Sequence, residues 1–132
     1  MRKLFATLVF ALVAASTAAD EMPSSAPLFA ATLNDLDDKP VALARFKGKP
    51  LVLFFYPKDD TPGCTAENKD FTAMSAEFQA AGINLLGISK DPPAKHAKFI
   101  AKYELAAPLA SDPVENGLAD ALGVWVEKSM YG

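Results

Sequence analysis

The chain has 132 residues, 51% of them hydrophobic, and a formal net charge of −3. That length is enough for one globular domain with its own core, and too short for two. The charge balance lacks the basic excess that favours nucleic acid or an anionic membrane surface, so we expect neither as a partner.

The first nineteen residues have the pattern of a secretory signal peptide. Arg2 and Lys3 form a basic start, Leu4–Ala15 is almost wholly apolar, and small residues lead up to Ala19. A buried N-terminal helix or a membrane anchor is the alternative, but the apolar stretch is short for a membrane span. We therefore expect cleavage after Ala19 and export, to a bacterial periplasm. The remaining 113 residues keep all 16 acidic residues and 11 of the 13 basic ones, a net charge of about −5.

The rest of the sequence predicts a polar, extended linker over residues 20–27 and one domain over residues 28–132. The elements predicted in chain order are a strand (Phe29–Leu33), a turn and a returning strand (Val41–Leu43), a strand (Leu51–Tyr56), a helix (Cys64–Ala81), a strand (Ile83–Ile88), a helix capped by Asp91, a strand (Leu109–Ala110) and a helix (Asp112–Leu122). Because the third strand is apolar without alternation, we expect a parallel sheet covered on both faces. The pattern indicates an α/β fold with a right-handed strand–helix–strand crossover.

The helix that follows the central strand carries one apolar stripe. Its members are Phe71, Met74, Phe78 and Ala81. Cys64 lies seven residues before Phe71, so we expect its sulfur on the inward side of the helix, at the N-terminal end.

Cys64 is the only cysteine of the chain. It follows a Pro-Gly pair at a helix start, where unpaired N–H groups and the helix dipole favour a thiolate. The alternative is a small core hydrophobe, which is common for a free cysteine. A single cysteine excludes a CxxC redox pair, and one cysteine with one histidine makes a metal site of this type improbable.

The loop before Cys64 offers further candidates. The Thr61 hydroxyl is close enough in sequence to hydrogen-bond near the sulfur, or it serves ordinary turn chemistry. Pro57 and Pro62 stiffen the loop, and Asp59 with Asp60 is expected in solvent.

Glu67 lies one turn beyond Cys64, and its carboxylate opposes formation of a thiolate. A reactive Cys64 therefore requires a cation nearby. Arg45 and Lys58 are the candidates closest to the loop in sequence, and neither position is compelling. His96 shares an apolar helix face with Phe99, Ile100 and Tyr103, so it is expected to be a packed, partly buried histidine and not a catalytic partner of Cys64; Trp125 is likewise expected in the core.

The motif Pro57-x-x-x-Thr61-x-x-Cys64 resembles the active-site motif of peroxiredoxins. The longer run from Phe55 to Glu67 is similar to the Q-type branch, also called bacterioferritin comigratory protein. The segments Gly87-Ile88-Ser89, Leu109–Asp112 and Glu127–Gly132 also resemble that branch.

The resemblance implies a thioredoxin-like fold, with a central mixed sheet flanked by helices, and a thiol peroxidase without a cofactor. Cys64 would attack hydrogen peroxide or an organic hydroperoxide and become a sulfenic acid. Thr61 and the Cys64 N–H would hold the peroxide oxygens, while Pro57, Gly63 and Glu67 would belong to the substrate pocket. The chain would act in antioxidant defence, as a monomer or a weak dimer.

Two departures from the branch change what is expected. Many Q-type members carry a resolving cysteine where this chain has Lys69, so the sulfenic acid would need an external thiol: a thioredoxin-like or glutaredoxin-like protein, or a small thiol. The family arginine that stabilises the thiolate lies on a strand beyond the Met-Tyr-Gly segment, and the sequence stops at Gly132. We therefore expect a C-terminally truncated chain that lacks that strand, which leaves Leu51–Tyr56 as an exposed sheet edge.

Two other classes of function compete with an exported thiol peroxidase. One is a catalytically impaired thioredoxin-fold fragment that acts as a binding or thiol-sensing module. The other is a disulfide isomerase or cytochrome-maturation protein, which would need a CxxC pair that this chain lacks.

Overall fold

The structure, a computed structural model, describes residues 25–126. The predicted signal peptide, most of the predicted linker and the closing segment 127–132 lie outside these residues. The elements are α1 (Ala26–Ala30), β1 (Thr32–Asn34), β2 (Pro40–Ala42), a 3₁₀ turn (Leu43–Phe46), β3 (Leu51–Phe55), α2 (Pro62–Ala80), β4 (Asn84–Ser89), α3 (Pro93–Tyr103), β5 (Leu109–Ser111) and α4 (Leu118–Ala121). Within residues 25–126, no helix combines the length and apolarity that a membrane crossing requires.

The five strands form one mixed sheet in the order β2-β1-β5-β4-β3. Strands β3, β4 and β5 are parallel, whereas β1 runs antiparallel to both β5 and β2. The predicted α/β architecture and the parallel pairing on either side of α2 are confirmed. In the part of the chain described, β3 lies at the edge of the sheet and pairs with β4 alone.

Each face of the sheet carries its own core. Val52 and Phe54 of β3 point to the face that packs against α2 and α3, whereas Leu51, Leu53 and Phe55 point to the opposite face. The expectation that the apolar run is covered on both sides is therefore confirmed. Below, the face that carries Phe54 is called the thiol face, because Cys64 packs there.

The N-terminal part of the domain differs from the prediction. Phe29 lies in helix α1, which begins at Ala26, and the strand begins only at Thr32. Pro27 stands at the first turn of this helix, where its fixed φ is already helical and its missing N–H costs nothing. The predicted linker thus ends in a helix; the rest of the proposed domain division stays a prediction.

The stripe predicted for α2 is rotated. Met74 is 45% exposed, and the inward side of the helix carries Asn68 and Ser75 beside the aromatic residues. Each of these side chains donates a hydrogen bond to a backbone carbonyl of the same helix: Asn68 Nδ2 to Cys64 O, and Ser75 Oγ to Thr72 O. A stripe read from apolar residues alone misses them.

Two caps also differ. Asp91 does not cap α3, whose N-cap residue is Pro92; its carboxylate turns back towards the sheet instead. Asp112 does not open a long helix. Its carboxylate instead accepts hydrogen bonds from the N–H groups of Leu118 and Ala119 at 2.7 and 3.0 Å, and so caps the single turn of α4 from a distance.

The predicted core position of Trp125 is wrong. Its side chain is 40% exposed, and the ammonium of Lys90 lies 5.4 Å from the centroid of its ring. Tryptophan is large and amphipathic, so a cation–π contact at a cleft wall satisfies it without full burial.

Candidate active site

Cys64 lies where strand β3 passes into helix α2. The strand ends at Phe55, a six-residue loop follows, and Cys64 is the third residue of the helix. Its side chain is buried with 7% exposure and packs on the thiol face with Phe54 and Tyr56. The predicted inward direction of the sulfur is confirmed.

The N-terminus of α2 has no side-chain cap. Thr61 is the N-cap residue, with extended backbone angles, but its hydroxyl donates to the Lys58 carbonyl at 2.9 Å and not to a helix N–H. Pro62 has no N–H, and the N–H groups of Gly63 and Cys64 stand in the first turn, where no preceding helical carbonyl is available. This turn therefore presents donors and partial positive charge directly beside the sulfur.

The structure brings some of the predicted site residues together and leaves others apart. Thr61, Gly63 and Cys64 share the first turn of α2, while Glu67 follows on the exposed side of the helix. Pro57 is exposed and lines a separate cleft of about 700 Å³, whose walls include neither Cys64 nor Thr61. Because the Glu67 carboxylate is hydrated, its opposition to a thiolate is screened by solvent.

None of the three candidate cations is placed as the thiolate partner. The Arg45 guanidinium lies 4.9 Å from the centroid of the Phe46 ring, and Phe46 packs on the face of the sheet opposite to Cys64. Lys58 is exposed, as expected. His96 is fully buried, but its recorded ring-nitrogen contacts are with Asp59 and Tyr56.

A buried polar cluster in the loop is the feature that sequence reasoning missed. Asp59 was expected in solvent, yet only 2% of it is exposed. Its Oδ1 accepts from the Tyr56 hydroxyl at 2.6 Å, and its Oδ2 lies 2.7 Å from Nδ1 of His96. Burial, and then the neighbouring Asp59 carboxylate, raise the pKa of Tyr56 far above its ordinary value. We call Tyr56, Asp59 and His96 the Asp59 cluster.

The backbone of Asp59 is held from the other side. Its N–H donates to Asp91 Oδ2 at 2.8 Å, and that oxygen also accepts from the Ser89 hydroxyl. Lys95 donates to the second Asp91 oxygen at 2.8 Å. Burial alone would raise the pKa of Asp91, but the hydrogen bonds from Lys95, the Asp59 N–H and Ser89 outweigh it and hold this pKa below its ordinary value.

A second link between the loop and α3 lies on the surface. Asp60 has a left-handed φ of 60°, which aspartate tolerates, and it accepts hydrogen bonds from Lys102 at 2.8 Å and from the Tyr103 hydroxyl at 2.6 Å. These two hydrogen bonds, Lys102 first, lower the pKa of Asp60. The loop before Cys64 is therefore tied to α3 at two successive residues, one buried and one exposed.

Lys69 occupies the position where many Q-type chains carry the resolving cysteine. It is exposed, and its ammonium lies 5.0 Å from the centroid of the Tyr103 ring.

Among residues 25–126, no group of three potential metal ligands comes together.

Comparisons with known proteins agree with this architecture. The model of the AhpC/TSA family matches residues 23–132. A putative peroxiredoxin Bcp of Coxiella burnetii is 41% identical over 112 residues, which cover 85% of this chain and 72% of the relative. Peroxiredoxin Bcp of Xanthomonas campestris pv. campestris is 51% identical over 85 residues, which cover 64% of this chain and 52% of the relative.

A solved structure shows the same fold. The bacterioferritin comigratory protein of Xanthomonas campestris, described in work on its alkyl peroxide reduction activity, superimposes with a TM-score of 0.72 at 43% identity. The match covers 81% of this chain and 68% of that one. The thioredoxin-like fold implied by the sequence is thereby confirmed. Because the family model matches residues 23–132, this chain belongs to the AhpC/TSA family, and the relatives it resembles there are peroxiredoxins of the Bcp and Q type.

Proposed function

We propose that this chain is a thiol-dependent peroxidase that reduces hydrogen peroxide and organic hydroperoxides through Cys64. The observation that carries the proposal is the position of the only cysteine: a buried sulfur in the first turn of a long helix whose N–H groups no side chain caps. Helix N–H donors favour a thiolate, and the same donors suit the negative charge that develops on a peroxide oxygen. Membership of a family of peroxiredoxins supports this chemistry.

In the proposed first step, the Cys64 thiolate attacks one peroxide oxygen. An S–O bond forms as the O–O bond breaks, the second oxygen leaves with the bonding electrons and takes a proton, and water or an alcohol is released. Cys64 is oxidised to the sulfenic acid while the peroxide is reduced. The Cys64 N–H would donate to the attacked peroxide, and the Thr61 oxygen, which already donates its proton to Lys58, would accept from it. Gly63 would lie at the rim that the peroxide passes, and Glu67 would bound the site on the solvent side. Pro57, which lines a separate cleft, would act only by fixing the path of the loop.

Turnover then depends on an external thiol. A thiol R–SH condenses with the sulfenic acid to give a mixed disulfide and water. A second thiol then attacks that disulfide and releases the Cys64 thiolate together with R–S–S–R. The reductant would be a thioredoxin-like or glutaredoxin-like protein or a small thiol. The same proposal includes a protein that is a monomer or a weak dimer.

Peroxide consumption by the reduced 132-residue chain, with dithiothreitol as reductant, tests the proposal. We expect one peroxide equivalent to convert Cys64 to a sulfenic acid. Dimedone should trap this sulfenic acid, and mass spectrometry should detect the resulting adduct on Cys64. The Cys64→Ser variant should lose consumption entirely, because a serine hydroxyl is not ionised at neutral pH and is a poor nucleophile there. Wild-type protein that consumes no peroxide, or a Cys64→Ser variant that consumes it equally fast, would refute the enzyme.

We further propose that residues 1–19 direct export to a bacterial periplasm. The basic start, the apolar stretch and the small residues before Asp20 support this. Expression of the full chain in a Gram-negative host, followed by cell fractionation and mass spectrometry, should yield a periplasmic protein that begins at Asp20. A charge in the apolar stretch, Leu12→Arg, should block export. Uncleaved wild-type protein in the cytoplasm would contradict the proposal.

A further inference from the structure

The Asp59 cluster has a feature that ordinary packing does not require. All three side chains are buried, and those of Asp59 and His96 have no exposed surface. Buried ionisable side chains are costly unless each finds a partner. The cluster stands in the loop that leads from β3 to Cys64, five residues before the sulfur, and its third member comes from α3. A buried polar group so placed constrains the path of that loop.

The hydrogen bonds of the cluster determine which nitrogen of His96 carries a proton. A carboxylate oxygen 2.7 Å from Nδ1 accepts, so Nδ1 is the donor. The other carboxylate oxygen accepts from Tyr56. Nε2 of His96 is then left buried with no hydrogen-bond partner. The hydrogen bonds of the histidine are therefore made at one atom only, and that atom faces the loop.

The loop backbone at the same residue has a separate restraint. The Asp59 N–H donates to Asp91, so backbone and side chain of one residue are fixed from opposite directions. Two residues later the chain enters α2 through Thr61, and Thr65 N donates back to Thr61 O at 2.8 Å. A shift of Asp59 is thus transmitted to the N-cap residue and to the turn that carries Cys64.

We infer that His96, acting through its Nδ1 hydrogen bond to Asp59, is a positioning residue for Cys64: it holds the loop so that Thr61 and the first-turn N–H groups face the sulfur and the peroxide. The hydrogen bonds of His96 run to Asp59 and Tyr56, so it acts on Cys64 through the loop. The inference rests on the proposed peroxidase, since the geometry it maintains is the one used to bind the peroxide. In this inference, a residue of α3 helps to determine the geometry of a site that lies at the start of α2.

Two substitutions of the same residue separate positioning from packing. In His96→Asn the amide nitrogen sits one bond beyond Cγ, as Nδ1 does, and still donates to Asp59. In His96→Gln the amide lies one bond further out, near the position of Nε2, and the contact with Asp59 is lost. Both variants lose the imidazole ring, so both lose ring packing. Lys98→Gln is the matched helix control, because Lys98 is exposed on α3 two residues from His96.

Three quantities are measured on the full chain: the single-turnover rate with hydrogen peroxide, the rate of Cys64 alkylation by iodoacetamide, and Tm. We expect His96→Gln to slow the peroxide reaction by about 10- to 100-fold, the loss that a misplacement on the order of 1 Å produces. His96→Asn and Lys98→Gln should stay within about twofold of wild type, even though His96→Asn lowers Tm through its cavity. A rate that recovers with the Nδ1 donor while Tm does not is the signature of positioning.

Equal losses in the two His96 variants, with rates that follow Tm, would overturn the inference and leave His96 as a packing residue. A His96→Gln variant as fast as wild type would overturn it too. The alkylation rate keeps this test apart from the peroxidase itself. Suppose that neither wild type nor any variant reduces peroxide, but that His96→Gln slows the alkylation of Cys64 and His96→Asn keeps the wild-type alkylation rate. The proposed function then fails, and the positioning of Cys64 stands.

Discussion

Replacing Tyr56 with phenylalanine removes one hydrogen bond from a buried carboxylate, and its effect should depend on pH. The hydroxyl donates to Asp59 at 2.6 Å and the residue is buried. A hydrogen bond to a charged acceptor contributes about 1.5–3 kcal/mol. We therefore expect Tyr56→Phe to lower the free energy of unfolding by that amount at pH 8, where tyrosine is protonated in both the folded and unfolded states.

The difference between the two proteins should shrink as the pH rises. The folded pKa of Tyr56 is raised above its unfolded value of 10.0, first by burial and then by Asp59. A group with a raised folded pKa stabilises fully below its unfolded pKa, and this contribution is lost above it, because the unfolded chain releases the proton and the folded one does not. At pH 11 the unfolded tyrosine is about 90% ionised, which lowers the stability of the wild type by about 1.4 kcal/mol relative to the variant.

Urea denaturation of both reduced proteins, followed by far-ultraviolet circular dichroism at pH 8, 9, 10 and 11, measures this difference. Every other ionisable group is common to both proteins, so the comparison isolates Tyr56. Tyrosinate absorbance offers a second check, since native wild type should keep one tyrosine protonated at pH 11. A difference that is constant from pH 8 to pH 11, or full ionisation of every tyrosine in the native protein, would refute the buried hydrogen bond.

Two further predictions concern the core and acid stability. Gly87→Ala should destabilise the fold by about 1–3 kcal/mol, because the new Cβ would lie 2.5 Å from Phe54 Cζ. Gly63→Ala should leave Tm nearly unchanged, because its Cβ would meet nothing within 4 Å. Thermal melts of the two variants measure the difference, and equal shifts in Tm would contradict the prediction. The lowered pKa of Asp91 gives stability above its unfolded value of 3.8 that is lost as the pH falls below it. Wild type should therefore lose more stability than Asp91→Asn between pH 5 and pH 3 in urea melts, and parallel curves would contradict the lowered pKa of Asp91.

What the sequence predicted well depends on local patterns. A continuous apolar run bounded by prolines predicts β3, and a Pro-Gly pair before a helical period predicts the start of α2 with Cys64 in its first turn. Both signals are contained in a few neighbouring residues. The resemblance to peroxiredoxins rests on that same segment, which is why fold and family are confirmed together.

What the sequence did not reveal depends on partners far along the chain. Asp59 reads as a loop carboxylate, and only the fold brings it to His96, 37 residues later. Tyr56, directly after a strand that carries only apolar side chains, was the available signal, since a buried hydroxyl requires a nearby partner. The short α4 was missed for a related reason: Asp112 looks like a local helix cap, yet it reaches six residues forward to Leu118.

Gly117 makes that long-range cap possible, and the reason is space and not backbone freedom. Its φ of −83° is open to any residue, but a Cβ there would lie 2.5 Å from Asp112 Oδ1. The missing side chain is in effect a binding pocket for a carboxylate that also receives Lys90 at 3.3 Å. Any larger residue would displace the Asp112 carboxylate, which both caps α4 and pairs with Lys90. The constraint at Gly117 is therefore one of volume, and alanine is unfavourable there although its backbone could adopt the conformation.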